Sequence, residues 1–390
     1  MNDPLPIKIS SGYTLVETAP ALALVTEKLQ GTSRVGIDTE ADSLHHYAEK
    51  VCLIQLSFLG ENYVIDPLCG FSLAEFLEVL SRKELIFQGA DYDLRILYKS
   101  FGFKPQAPVF DTMLAAQVLG YEKIGLAALV ERFFGIVMSK SGQKADWSKR
   151  PLTEKLLTYA SDDTKYLEAI ADLLSVELQK LDRMLWHKEC CERVARIMEQ
   201  GDRKDKKESW RVKGSTRLPP EVLVYVKELW QWRDDEAREK DRPPFRILRN
   251  EDLVELAAWR SQNRGVPLQQ GPSFLSRMYE RKILGLEKAC QTAENLPPEE
   301  WPQPEKRRSW REESYDQDKL DQMLAAGKSL AAELQIESSF LASRAALTSV
   351  IRHKPGSVDE VMEVSNLMRW QATLLMPAIQ VILSGDLSKP

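Results

Sequence analysis

RVGIDTEA (residues 34–41) is an apolar, β-branched run with two carboxylates near its end. Three further runs share its apolar character: VCLIQLSF (51–58), NYVID (62–66) and ELIFQG (84–89). Short apolar runs bounded by turn formers are typical of buried strands. Leucine and phenylalanine occur at helical spacing in LAEFLEVL (73–80), and a helix is expected at 91–100. The pattern predicts an α/β domain with a mixed sheet flanked by helices.

From Asp111 onward the chain is predicted to be helical, with two interruptions. Residues 201–220 hold seven basic and three acidic side chains, and residues 294–314 hold four prolines among dense charge. Because neither stretch has an apolar period, both predict linkers. The predicted domains are a sheet-containing domain at 1–200, a basic linker at 201–218, a helical domain at 219–293, a charged linker at 294–314 and a second helical domain at 315–390.

Composition and charge limit the classes of function. The 390 residues are 43% hydrophobic and 28% charged, and no apolar stretch is long enough to span a membrane. Five scattered cysteines without a CxxC pair disfavour a disulfide framework, so we expect a cytoplasmic protein. Residues 1–200 carry a net charge of −6 and residues 201–390 a net charge of +1. A polyanionic substrate of the first domain would therefore need a bound cation.

Carboxylates occur where a buried strand should have none. Asp38 and Glu40 lie two apart in the first strand, so both side chains share one face of the sheet. Two adjacent anions beside an apolar sheet repel each other and are costly to desolvate. The pair therefore predicts a functional site, although carboxylates solvated at the end of the strand explain it equally well.

Two later carboxylates complete a possible set of four. Tyr159 and Asp163 are in line with Leu167, Ile170 and Leu174 on one predicted helix face, but the spacing also admits Asp162. Likewise Asp93 and Asp91 both lie in the first turn of the helix after ELIFQG, where the helix dipole favours an acid. Carboxylate oxygens suit Mg²⁺ or Mn²⁺, and two such ions can drive phosphodiester hydrolysis.

Three motifs carry a resemblance to a known family. GIDTEAD (36–42), QGADYDLRIL (88–97) and YASDD (159–163) resemble the three motifs of the DEDD-type 3′→5′ exonucleases, in the subclass that has a tyrosine. DTMLAAQVLG (111–120) and residues 140–163 are similar to ribonuclease D in particular. Residues 230–248 resemble the helicase-and-RNase-D C-terminal (HRDC) domain, and residues 320–347 look like a weaker second copy.

The resemblance implies an RNase H-like exonuclease domain at 1–200 and two helical HRDC-type domains. It selects Asp38, Glu40, Asp93 and Asp163 as ligands of two divalent cations, and Tyr159 as the residue that positions the attacking water. The implied reaction releases nucleoside 5′-monophosphates from RNA with a single-stranded 3′ end, with transfer-RNA precursors as the usual substrate. We expect the protein to be a monomer.

Further residues are predicted to contact the substrate. The matching segments and the basic end of the HRDC-like helix supply Gln88, Asp111, Lys144, Trp147, Arg150, Arg238 and Arg242. The chain departs from the family pattern at Gln88, where histidine is frequent, and at Ala145, where a hydroxyl residue is common. Solvated helix ends are the alternative explanation for Arg238 and Arg242.

Two other functions remain open from the sequence. A DNA exonuclease of the proofreading or repair type would use the same carboxylates, because no residue pattern here identifies a contact to the RNA 2′-hydroxyl. An RNA-binding scaffold with an inactive site is the other alternative, and the presence of all four acids and the tyrosine disfavours it.

Overall fold

The computed structural model describes residues 12–139, 142–200, 208–304 and 315–384. These residues form two compact units. Among the described residues, the first unit comprises 12–41, 50–139, 142–200 and 315–384, and the second comprises 42–49 and 208–304. The predicted linker residues 201–207 and 305–314, and the last residues of the second helical domain, 385–390, lie outside the described residues.

A six-stranded mixed sheet forms the centre of the first unit. Its strands are β1 (Thr14–Val16), β2 (Arg34–Ala41), β3 (Val51–Phe58), β4 (Glu61–Ile65), β5 (Glu84–Phe87) and β6 (Val109–Asp111). The order across the sheet is β1-β4-β3-β2-β5-β6, with β3 antiparallel to both β2 and β4 and the other pairs parallel. The predicted mixed sheet is confirmed, whereas the three-residue strands β1 and β6 were not predicted from sequence.

Helices flank this sheet. They are α1 (Ala19–Gln30), α2 (Ala74–Ser81), α3 (Ala90–Phe101), α4 (Thr112–Val118), α5 (Leu126–Phe134), α6 (Glu154–Asp162), α7 (Leu167–Lys180) and α8 (Met184–Gln200). The continuous helix face predicted from Tyr159 to Leu174 is wrong, because α6 ends at Asp162 and α7 begins at Leu167. Asp163 is the C-cap residue of α6 and keeps right-handed helical backbone angles, so it still lies one turn beyond Tyr159.

The second unit is helical and contains α9 (Pro220–Glu239), α10 (Pro244–Ile247), α11 (Asn250–Gln262) and α12 (Glu280–Asn295). Its apolar core also includes Trp210, which is buried, and Trp301, which is partly buried. Parts of both predicted linkers therefore belong to this folded domain. Residues 42–49 pack here as well: the Arg246 Nε donates to the Leu44 carbonyl at 2.9 Å.

The C-terminal helices belong to the first unit. They are α13 (Gln317–Glu333), α14 (Ser338–Leu341), α15 (Arg344–His353), α16 (Val358–Ser365) and α17 (Arg369–Ser384). Trp186 of α8 stacks on Trp370 of α17 with ring centroids 4.7 Å apart. Arg183 donates to the Leu334 carbonyl at 2.7 Å. Apolar and polar contacts thus join the second helical domain to the sheet domain.

The two helical domains share a backbone pattern. In each, a left-handed residue follows the long helix by two positions: Asp241 with φ 46° and Gln335 with φ 54°. A four-residue helix, α10 or α14, then starts five positions after the long helix ends. The following amide closes the same turn in both domains: Arg242 N donates to Ala237 O, and Ile336 N to Ala331 O, each at 2.9 Å. This correspondence supports the predicted second HRDC-like copy.

Candidate active site

The acidic cluster, defined as Asp38, Glu40 and Asp163, lies on one face of the sheet. Asp38 and Glu40 share that face of β2 because they are two residues apart in an extended strand. The turn between α6 and α7 brings Asp163 to them, and one carboxylate oxygen from each of the three lies within 4.8 Å of the others. The structure therefore assembles three predicted ligands that are far apart in the sequence.

Asp93 approaches from the neighbouring helix. Pairing between β2 and β5 ends at Gly36 and Ile86, and the chain then turns into α3. The Asp93 Oδ1 accepts hydrogen bonds from the Thr39 amide at 2.9 Å and the Thr39 hydroxyl at 2.6 Å. Its carboxylate thus takes the place of a strand carbonyl beside β2. Asp93 is buried, whereas Asp91 is exposed, which agrees with the choice of Asp93.

The electrostatics of these acids call for a cation. Burial, together with the charges of Asp163 and Asp93, raises the pKa of Glu40 to about 9. Burial also raises the pKa of Asp93 and of Asp163 to about 7, and raises the pKa of Asp38 well above its usual range. Clustered oxygens that repel one another are a donor set for hard divalent cations. The four predicted ligands therefore fit a divalent metal site.

Tyr159 is held beside this site by a hydrogen bond and by ring contacts. Its hydroxyl donates to the Asp163 carboxylate, and burial is the first cause of the raised pKa of the phenol. The ring packs with Trp147, with centroids 6.2 Å apart and an angle of 29° between the planes. It also packs against Gly142, where an added Cβ would lie 2.2 Å from the Tyr159 ring. The segment 142–153 thus fixes the position of the tyrosine.

Arg150 anchors that segment. Its guanidinium donates to Asp66 Oδ1 at 2.7 Å and Asp66 Oδ2 at 2.5 Å, and to the carbonyls of Trp147, Lys149 and Cys52 at 2.7 to 3.0 Å. Trp147 is only 2% exposed. Because these groups already have protein partners or are covered, we replace the substrate contacts predicted for Trp147 and Arg150 by positioning roles.

Asp111 and Gln88 also have structural positions. Asp111 is buried, and its carboxylate accepts from the amides of Gly89 and Ala90 at the start of α3 and from those of Met113 and Leu114 in α4. It therefore fixes the start of the helix that carries Asp93, and its predicted substrate contact is corrected. Gln88 accepts from the Thr112 hydroxyl and donates to the Ile124 carbonyl, which favours a structural role. Lys144 is exposed, and its substrate contact stays a prediction.

The two predicted HRDC arginines differ. Arg238 donates to Asp234 at 2.7 Å and to the Tyr47 hydroxyl at 3.2 Å, so it helps to hold segment 42–49 within the second unit. Its side chain is 59% exposed, so its phosphate contact stays a prediction. Arg242 is exposed and stays a predicted substrate contact.

Sequence reasoning missed Gln55. This residue lies on β3 directly opposite Asp38, in register, and is fully buried. The one available signal was a single amide in an otherwise apolar run, VCLIQLSF.

Comparison with known proteins identifies the family. A family model described as a 3′-5′ exonuclease matches residues 13–179, and the HRDC domain model matches residues 223–266. A ribonuclease D of Zymomonas mobilis is 32% identical over 301 residues, which cover 75% of this chain and 75% of that relative. The chain belongs to the ribonuclease D family. As a member, it is a metal-dependent 3′→5′ exoribonuclease, a hydrolase.

Solved structures agree with this fold. A protein from Bifidobacterium adolescentis superimposes with a TM-score of 0.78 at 25% identity, covering 97% of this chain and 99% of the other. Escherichia coli RNase D, described as an exoribonuclease involved in structured RNA processing, superimposes with a TM-score of 0.71 at 23% identity, covering 96% and 99%. These comparisons confirm the predicted exonuclease fold followed by helical domains. In the described part of the chain, no helix combines the length and apolarity needed to cross a membrane.

Proposed function

We propose that this ribonuclease D family member holds two divalent cations, Mg²⁺ or Mn²⁺, on Asp38, Glu40, Asp93 and Asp163. The observation that carries the proposal is the convergence of three carboxylates within 4.8 Å beside the buried Asp93. When bound, two such ions lower the pKa of a water and stabilise the leaving oxygen of a phosphodiester. The four carboxylates would supply the oxygen ligands that hold these ions.

Tyr159 positions the attacking water in this proposal. Its hydroxyl is held by Asp163 and its ring by Gly142 and Trp147, so the phenol oxygen is fixed before substrate binds. Pre-positioned groups lower the activation free energy because the entropy of orientation has been lost in advance. The products are nucleoside 5′-monophosphates released one at a time.

The proposed substrate is RNA with a single-stranded 3′ end, and transfer-RNA precursors are the proposed class. The name of the Zymomonas relative supports RNA over DNA. We propose that the protein acts as a monomer in the cytoplasm, and its cysteines are free, as a reducing compartment allows.

A basic cluster on the second unit is the proposed surface for RNA phosphates. It comprises Lys240 and Arg242 after α9 and Arg281 and Lys282 in α12. Burial is the first cause of a lowered pKa of Lys240, and the positive charges of the other three residues are the next causes, so the four side chains lie close together. The Arg281 guanidinium lies 3.3 Å from Glu239, which brings the start of α12 to the end of α9. Tyr279 beside it is 83% exposed and offers a face for base stacking.

The central experiment follows shortening of a 5′-labelled RNA hairpin with a single-stranded 3′ tail. Wild type, Asp163→Asn and Asp162→Asn would be compared with Mg²⁺, with Mn²⁺ and with chelator, and a matched DNA would run beside the RNA. Asp162 is the control because it pairs with Lys165 at 2.5 Å. We expect a metal-dependent ladder on RNA that Asp163→Asn abolishes and Asp162→Asn retains. Equal shortening of the DNA would favour the repair exonuclease, and binding without shortening would favour the scaffold.

The basic cluster is tested by charge reversal. Arg242→Glu should raise the KM for RNA, because a phosphate contact is lost. The slope of the logarithm of the binding constant against the logarithm of the salt concentration should fall in magnitude by about one. Lys227→Glu on the exposed face of α9 is the matched control. Equal effects of the two substitutions would assign the change to net charge and contradict a localised surface.

A further inference from the structure

Gln55 is a buried amide without hydrogen-bond partners. It lies in the middle of β3 with no exposed surface, and neither its Nε2 nor its Oε1 has a partner in the described part of the chain. Leaving a buried polar group unpaired costs about 1–3 kcal/mol. By contrast Ser57, two residues along the same face, bonds to Asn62 at 2.7 Å and to Thr164 at 2.8 Å. The amide of Gln55 therefore requires an explanation other than packing.

The position of Gln55 in the sheet explains why its amide is unpaired. In the antiparallel pair of β2 and β3, Gln55 is directly opposite Asp38, and Leu53 is opposite Glu40. Directly opposed residues point to the same face, with Cβ atoms about 4.5–5.5 Å apart. Thr164, which bonds to Ser57 on this face, immediately follows Asp163. The unpaired amide thus lies on the face that carries the acidic cluster.

We propose that Gln55 is a positioning residue of the metal site, whose amide N–H donates to the Asp38 carboxylate when a divalent cation is bound. This inference rests on the proposed metal site. An ionised, cation-bound carboxylate has lone pairs left over, and donors that occupy them fix its orientation. In the metal-free structure the amide has no hydrogen-bond partner among the described residues, although it lies opposite Asp38.

A purely structural glutamine would behave differently. If the amide served only the fold, its replacement by an apolar side chain of similar volume would destabilise the protein. If it serves the loaded site, the same replacement removes an unpaired buried polar group from the metal-free protein, which is neutral or stabilising. The two roles therefore predict different directions for the change in stability.

The test uses Gln55→Met in the full-length protein. Unfolding would be measured with chelator, and Mn²⁺ affinity by calorimetry. We expect the metal-free variant to be at least as stable as wild type and its Mn²⁺ affinity to fall about 10–100-fold. The matched control is Asn62→Leu, because the Asn62 side chain is buried but bonded to Ser57 and to the Gly12 carbonyl. That variant should lose stability and retain its Mn²⁺ affinity.

A second measurement does not require a substitution. The Gln55 side-chain amide resonance of the wild-type protein should shift on addition of Mg²⁺, whereas that of Asn62 should not. Unchanged Mn²⁺ affinity in Gln55→Met, or a Gln55 resonance insensitive to Mg²⁺ in a protein that binds it, would overturn the inference alone. Failure of the wild type to bind Mn²⁺ at all would overturn the proposed metal site with it.

Discussion

Two clusters of potential metal ligands in the first unit have opposite electrostatics. The acidic cluster and a second cluster, Glu17, Asp66 and Cys69, each bring three ligand atoms within 4.8 Å of one another. In the second cluster the buried Asp66 is neutralised by the Arg150 guanidinium. In the acidic cluster the described residues supply no such cation, and the pKa values rise. An acid that the chain neutralises is structural, whereas acids left without a counter-charge await a cation from solution.

Removal of one cluster acid should have the largest effect. Glu40→Gln should lower turnover by about 10³-fold or more, because a metal site contributes several kcal/mol to the transition state and each 1.36 kcal/mol is tenfold in rate. The variant should keep its fold and bind RNA. Turnover would be measured on a labelled 3′-tailed RNA, and residual activity within tenfold of wild type would contradict the assignment.

Substitution of an acid in the second cluster should lower the stability of the fold. Asp66→Asn leaves Arg150 without its charged partner, and breaking a buried pair costs about 3–5 kcal/mol, reduced here because the arginine is 27% exposed. We expect a loss of about 2–3 kcal/mol in the free energy of unfolding, measured in urea at pH 7. Mn²⁺ affinity should stay within twofold of wild type. A large loss of Mn²⁺ affinity without a loss of stability would show that Asp66 binds metal and would contradict its structural role.

The link between the two clusters is the segment that holds Tyr159. Gly142→Ala places a methyl against the tyrosine ring and should lower kcat about 10–100-fold with little change in KM, because a displacement of about 1 Å can cost 10²-fold. Gly125→Ala is the control, since no atom lies within 4 Å of its added Cβ. Equal kcat values for the two variants would show that the ring position is unimportant.

The stability of the metal-free protein should depend on pH, with a smaller effect than the substitutions above. The folded protein without metal binds more protons than the unfolded chain, because the folded pKa values of Asp163 and Glu40, about 7 and about 9, exceed the unfolded values of about 4. The contribution of these two acids to the free energy of unfolding is therefore fully present below about pH 4, and it is lost as the pH rises through their folded pKa values of about 7 and about 9. Urea unfolding with chelator at pH 5, 7 and 8.5 checks this, and Asp163→Asn should reduce the slope. A slope of the opposite sign would contradict the electrostatic account.

The sequence predicted the long strands and the acids, for physical reasons that differ. β2 and β3 were found with their bounds because buried strands require continuous apolar runs. The choice of Asp93 over Asp91 and of Asp163 over Asp162 came from the motif resemblance, since spacing alone allowed both. Three-residue strands such as β6 are too short to show a period, so they were missed.

Residues whose role depends on a distant partner were assigned less well. Trp147 and Arg150 were predicted as substrate contacts because they lie in a segment that resembles ribonuclease D. In the structure, Arg150 pairs with Asp66, which lies 84 positions away. Arg238 likewise has a hydrogen-bond partner, Tyr47, that lies 191 positions away. Gln55 became informative only when the β2–β3 register placed it opposite Asp38. Such pairings are properties of the folded chain.

Anomalous diffraction from crystals grown with Mn²⁺ and a nucleoside 5′-monophosphate would locate the metal ions in the first unit. We expect two manganese peaks among Asp38, Glu40, Asp93 and Asp163, none at Glu17, Asp66 and Cys69, and loss of at least one peak in Asp163→Asn. Manganese only at the second cluster, or none at the acidic cluster at a concentration that supports hydrolysis, would contradict the proposed metal site.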